Sequence, residues 1–194
     1  MTSGVRSLLA VVGAVTPPGR LNAAVTTAVE HAAARPGMSA SVLNLGDHDI
    51  SFADGRPLEK FDDDTGAVVA RLVAADAVLL ASPVYRGTYT GALKNFLDLA
   101  PVDALRGKPV GIVAMGATLH HYLGVDWQLR AVLGWFGAHV TPTSVYLDSS
   151  HFRDGKLVDV VSIGALAALV DALLDMPAAA TGGFGPPPLA AGRG

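Results

Sequence analysis

Three stretches of the chain carry residue types and spacings suited to holding a ligand. Residues 13–22 read GAVTPPGRLN, a Gly/Pro turn that opens onto a run of helix formers. The first N–H groups of such a helix are unpaired and its dipole favours an anion such as a phosphate. Thr16, Arg20 and Asn22 are the polar side chains placed to add donors. Residues 82–90, SPVYRGTYT, form an unusual loop of one proline, one glycine, two tyrosines and several hydroxyls. Two readings of its tyrosines stay open: Tyr85 and Tyr89 line a crevice, or they pack the loop onto the structure beneath. Residues 116–121, GATLHH, put small residues beside polar ones. Small side chains let a backbone approach a planar ligand, and Thr118 with His120 supplies hydrogen-bonding groups for its polar edge.

Other groupings carry less. Asp62, Asp63 and Asp64 invite a hard-cation site. Ahead of the apolar Val68, Val69, Leu72 and Val73, however, they are better read as a helix cap and first turn. His120 and His121 are adjacent, so they point in different directions, and no acid or cysteine is spaced to join them on a metal. Neither a Ser-His-Asp arrangement nor a working carboxylate pair is evident, so no side chain is assigned as catalytic.

The elements that must position these loops follow from periodicity. Residues 77–81 are a continuous apolar run ending at Ser82-Pro83, which suits a strand buried on both faces of a parallel sheet. From Gly91 the period changes: Leu93, Phe96, Leu97 and Ala100 share one helical face. Residues 5–12 read as a first strand, 23–34 as a helix, 38–45 as a second strand and 109–115 as a fourth. A helix is expected after the aspartates to about Ala75. Another covers 122–137, with Leu129, Val132, Leu133 and Phe136 on its inner face. Residues 139–147 make a fifth strand, and Pro142 within it marks an edge. A last helix, 160–174, is apolar nearly all round, as in a deeply buried or subunit-facing helix. Five strands alternating with helices give a doubly wound α/β parallel sheet with helices on both faces, spanning 1–176, followed by a Pro/Gly/Ala-rich flexible tail, 177–194. In such sheets ligands bind beyond the carboxyl ends of the strands, where all three loops fall.

Composition bounds the function. The 194 residues are 51% hydrophobic and 16% charged, with a formal net charge of -3. That leaves no basic field for nucleic acid. With no cysteines, any redox chemistry must come from a bound cofactor. Arg6 followed by residues 8–15 has the look of a short secretory leader, but the turn and helix that follow complete a strand-turn-helix unit instead. No apolar run approaches the ~20 residues that span a bilayer, so a cytoplasmic protein without a membrane partner is expected.

The ordered run Ser82-Pro83-Val84-Tyr85, Gly91, Leu93-Lys94-Asn95 and Leu97-Asp98 resembles the signature SPxYxxxxxGxLKNxLD of the NADPH-dependent FMN reductase family of flavodoxin-like proteins. The resemblance covers about residues 5–176 and implies a five-stranded sheet of order 2-1-3-4-5. It implies that FMN lies against Pro83, Val84 and Tyr85 through backbone N–H groups, with Gly116, Ala117 and Thr118 at the pyrimidine side of the ring. The role of Arg86 is open, contact with the phosphates of NADPH or NADH being one reading. The phosphate loop departs from the family's GSxRxxS[RK]-like pattern: Ala14, Gly19 and Leu21 stand at hydroxyl positions, which implies weaker FMN retention. Residues 126–130, DWQLR, are similar to a segment of reductases that feed two-component sulfonate monooxygenases. Some of those carry a π-bulge near an aromatic at the position of Trp127; packing or subunit contact for Trp127 and Trp135 is the other reading. The function implied is hydride transfer from NAD(P)H to FMN, supplying a monooxygenase, by a homodimer or homotetramer. Alternatives are an FMN-bound quinone or azo reductase, or a non-catalytic FMN electron carrier.

Overall fold

A computed structural model describes residues 6–176; the expected tail at 177–194 lies outside the described residues. The chain alternates strands and helices: β1 (Arg6–Val12), α1 (Arg20–Ala33), β2 (Met38–Asn44), α2 (Thr65–Ala74), β3 (Ala77–Pro83), α3 (Gly91–Leu99), β4 (Pro109–Met115) and α4 (Tyr122–Trp135). Then come β5 (His139–Val140), β6 (Val145–Leu147), a small hairpin of β7 (Phe152–Arg153) and β8 (Lys156–Leu157), and α5 (Val160–Asp175). The sheet is parallel with order β2-β1-β3-β4-β5, as expected, and β6 also pairs with β4.

Alternation along β1 explains the two layers. Leu9 and Val11 face a core built with α2, α3 and α4, whereas Leu8, Ala10 and Val12 face α1 and α5. The central strands are buried on both sides, so their residues are apolar but for Ser82 near the end of β3. No helix among the described residues is long and apolar enough to cross a membrane.

The structure alters three expectations. First, α1 begins at Arg20 rather than residue 23, because Gly19 is its N-cap and Leu21 turns into the core. Second, the fifth strand is broken. Pro142 cannot donate to the ladder, and the Arg130 guanidinium draws the carbonyls of Thr141 (2.9 Å) and Pro142 (3.1 Å) toward α4. Burial pushes the partner Asp126 carboxyl up, but hydrogen bonds from Arg130 and Ser144 and the Arg130 charge outweigh it and hold the group below its usual range. Third, the aspartates precede α2 rather than entering its first turn: Asp64 is the N-cap residue without a side-chain cap bond, and Asp63 instead accepts from Ser51 Oγ (2.5 Å) and Thr65 N (2.8 Å), fastening the connection before the helix. No group of three His, Cys, Asp or Glu side chains suited to a metal occurs among the described residues. Helix α4 is α-helical throughout, with Trp127 exposed on it.

Candidate flavin site

The three loops meet at the carboxyl ends of the strands, and two buried hydroxyls bind the first two together. Thr90 caps α3 by accepting from Leu93 N at 3.1 Å, and its hydroxyl donates to the carbonyl of Gly13. Ser82 Oγ accepts from Thr90 N at 3.0 Å. Thr90 thus ties the first loop to the end of the second, and Ser82 joins the two ends of the second to each other. On the other side Val84 N donates to Met115 O (2.8 Å), and a Cβ on Gly116 would stand 3.4 Å from the Val84 side chain, so the third loop abuts the second.

Between the first two loops lies a recess of about 130 Å3 lined by Thr16, Gly19, Arg20, Asn22, Pro83 and Tyr85, with Asn44 from the end of β2. Gly19 and the first turn of α1 supply its donors: the N-cap has no side-chain partner and the turn holds no acid. The buried Oδ1 atoms of Asn22 and Asn44 accept no hydrogen bond. An orphaned buried acceptor is costly, so both call for a donor from a ligand. The volume is below the ~300 Å3 of a complete small-molecule pocket, so the recess suits a ligand's polar tail rather than its rings.

Tyr85 is shared with a second, open recess of about 410 Å3, lined with Val84 and Arg86. Here residues 85–88 form a tight two-residue hairpin: Tyr85 N donates to Thr88 O (2.8 Å) and Thr88 N to Tyr85 O (3.2 Å). Arg86 and Gly87 both have positive φ, 53° and 80°, as a type I′ turn requires. Consequently Val84 and Tyr85 have their N–H groups engaged within the chain and Pro83 has none. Among the described residues, the N–H groups of this loop without an intramolecular partner are those of Arg86, Gly87 and Tyr89, the first two at the hairpin tip.

Thr16, Arg20, Asn22, Pro83, Val84, Tyr85 and Arg86 are therefore brought together at two adjoining recesses. Gly116, Ala117 and Thr118 follow β4 and line neither; His120 sits in a short 3-10 turn, Leu119–His121. Tyr146 fixes this segment, its hydroxyl donating to Thr118 O at 2.5 Å and lying where a Gly116 side chain would go. Sequence reasoning passed over Asn44, Gly124 and Tyr146. The available signals were a polar residue ending a strand, a lone glycine inside a helical pattern and a tyrosine amid strand alternation.

A 2-1-3-4-5 sheet with an anion-ready recess at its carboxyl rim defines a flavodoxin-like domain. The chain belongs to the NADPH-dependent FMN reductase family, whose model matches residues 7–152. It is 39% identical over 125 residues to an NAD(P)H-dependent FAD/FMN reductase of Geobacillus thermodenitrificans, covering 64% of this chain and 68% of the relative. Identity with the NADH-dependent FMN reductase SfnF of Pseudomonas putida is 30% over 178 residues, covering 88% and 92% of the two chains. In three dimensions it resembles the apo form of an NADH:FMN oxidoreductase, EMOB, with TM-score 0.71 and 26% identity over 86% of this chain and 87% of that one.

Proposed function

We propose that this protein is an NAD(P)H-dependent FMN reductase that binds FMN across the two adjoining recesses and supplies reduced flavin to a partner monooxygenase. The observation that carries the reading is the recess at the start of α1, where unpaired helix N–H groups and Arg20 suit a phosphate and the orphaned acceptors Asn22 and Asn44 suit hydroxyl donors. FMN carries both, a phosphate at the end of a polyol chain. Asn22 and Asn44 would hold the polyol, Thr16, Arg20 and the α1 N-terminus the phosphate, and Pro83, Val84 and Tyr85 the ring. Gly116, Ala117 and Thr118 are assigned to its pyrimidine edge, with His120 beside them.

When bound, the flavin supplies the two-electron acceptor for the nicotinamide hydride. What the chain contributes is placement. Ser82 and Thr90 hold the central loop in register with the first, Tyr146 holds the third, and Tyr85 walls both recesses. One hydride and one solvent proton enter, and NAD(P)+ and reduced flavin leave, so no side-chain acid or base is required.

The chain is proposed to work in the cytoplasm, beside its NAD(P)H supply, as a homodimer or homotetramer. Supporting the assembly, α4 exposes Leu123, Trp127 and Trp135 at helical spacing, and a groove of about 470 Å3 runs between α3 and α4 beside Trp135.

The test is NADPH and NADH oxidation with and without added FMN, alongside fluorescence titration of FMN. FMN-dependent turnover supports the reading. Binding without turnover makes the protein a carrier; turnover only with quinone or azo dye makes it a reductase of those acceptors.

A further inference from the structure

Resting on the reductase reading above, we infer that the Tyr85–Thr88 hairpin reads the dinucleotide, with Arg86 contacting a phosphate of NAD(P)H. Arginine is an unexpected residue for its backbone. At the first central position of a type I′ turn Asn, Asp or Gly adopts positive φ at little cost, whereas a long side chain there is strained. Strain held in place beside a binding recess points to a use for the side chain.

The strain is held from two sides. The paired hydrogen bonds between Tyr85 and Thr88 close the hairpin, and Gly87 O is seated against Gly124 of α4, where a Cβ would come within 2.1 Å of it. The base of Arg86 is therefore fixed while its side chain is exposed.

Charge then decides the ligand. Of the cations among the described residues, Arg20 and Arg86 alone line the two recesses at this rim, and neither side chain has an ion-pair or hydrogen-bond partner among those residues. Arg20 borders the recess assigned to the flavin's polar tail. Arg86 borders the other recess, where the flavin's phosphate-free ring would lie, and its guanidinium is left for the phosphate of a second ligand laid over that ring, to which it offers a two-pronged donor.

The experiment titrates FMN-loaded wild type, Arg86→Ala and Arg86→Lys calorimetrically with 2′,5′-ADP and with 5′-ADP, and measures KM for NADPH and NADH. FMN Kd is measured separately by fluorescence. Arg86→Ala is expected to raise the Kd of at least one nucleotide roughly tenfold or more, with a matching rise in KM, unchanged FMN Kd and partial recovery in Arg86→Lys. Loss confined to 2′,5′-ADP and NADPH assigns the 2′-phosphate; equal loss for both nucleotides assigns the 5′-phosphate they share, and loss confined to 5′-ADP, with KM raised for NADPH and NADH alike, assigns the second phosphate of the pyrophosphate. Unchanged nucleotide Kd, or a loss of FMN affinity instead, overturns the inference. Should wild type bind nucleotide yet oxidise neither dinucleotide, the reductase reading fails while the binding comparison still decides the role of Arg86.

Discussion

The carbonyl oxygen of Gly87 occupies the place of a side chain on Gly124: a Cβ there would lie 2.1 Å from it. Two glycines 37 positions apart thus set the hairpin of the central loop directly on α4. Alanine at an ordinary helical position gains about 1 kcal/mol over glycine. Overpacking against a fixed backbone atom costs typically ~1–3 kcal/mol. Gly124→Ala is therefore expected to lower stability slightly on balance and to shift the hairpin, seen as a severalfold rise in KM for NAD(P)H with helical content unchanged by circular dichroism.

Tyr146 holds the third loop through a hydrogen bond from its hydroxyl to Thr118 O. Burial, followed by the nearby Asp148 charge, pushes its phenol up, so it stays a donor through the neutral range. Tyr146→Phe removes a bond worth about 1 kcal/mol net. Fluorescence titration is expected to show FMN affinity falling severalfold while the melting temperature moves little.

Thr90 joins a helix cap to a link between two loops. Thr90→Val keeps the shape but removes the acceptor for Leu93 N and the donor to Gly13 O, both buried. A loss of about 2 kcal/mol in urea unfolding is expected.

Asn44 and Arg20 separate the polyol from the phosphate. Asn44→Ala is expected to weaken FMN and riboflavin alike, since both carry the hydroxyl chain. Arg20→Ala should weaken FMN roughly tenfold and riboflavin hardly at all. Equal effects of both variants on both ligands would sink this division of the recess.

Asp63 makes the acid limb of stability testable. The Ser51 hydroxyl, then Thr65 side-chain and backbone bonds, hold its carboxyl at about 2, below the usual carboxylate value of 3.8. A depressed folded value means that its contribution is fully present above about pH 4 and is lost as pH falls toward about 2. In acid unfolding followed by circular dichroism, Asp63→Asn is expected to flatten the curve in that window.

Much of the architecture was legible in the chain. The apolar runs of β3 and β4 read as buried strands because both faces are covered by helices. Leu93, Phe96 and Leu97 read as the inner face of α3. Lys94 and Asp98, spaced i, i+4 on α3, form an ion pair at 2.6 Å, a contact that helical spacing alone allows. The broken edge strand was only half legible: Pro142 marked an edge, but the pull of Arg130 on two carbonyls comes from another element. The hairpin at 85–88 had its signal too, an X-Gly pair between tyrosine and threonine, and was read only as loop.

Local sequence determined where strands end, which loops crowd the carboxyl rim and which residue types they carry, since these depend on period, proline and glycine over a few positions. Tertiary structure alone decided that Thr90 reaches Gly13, that Asn44 lines one recess with Asn22 and buries an Oδ1 atom with no donor, and that Gly124 seats Gly87. Each of those facts relates residues more than 20 positions apart, and only the packing of layers brings such residues within a few ångströms.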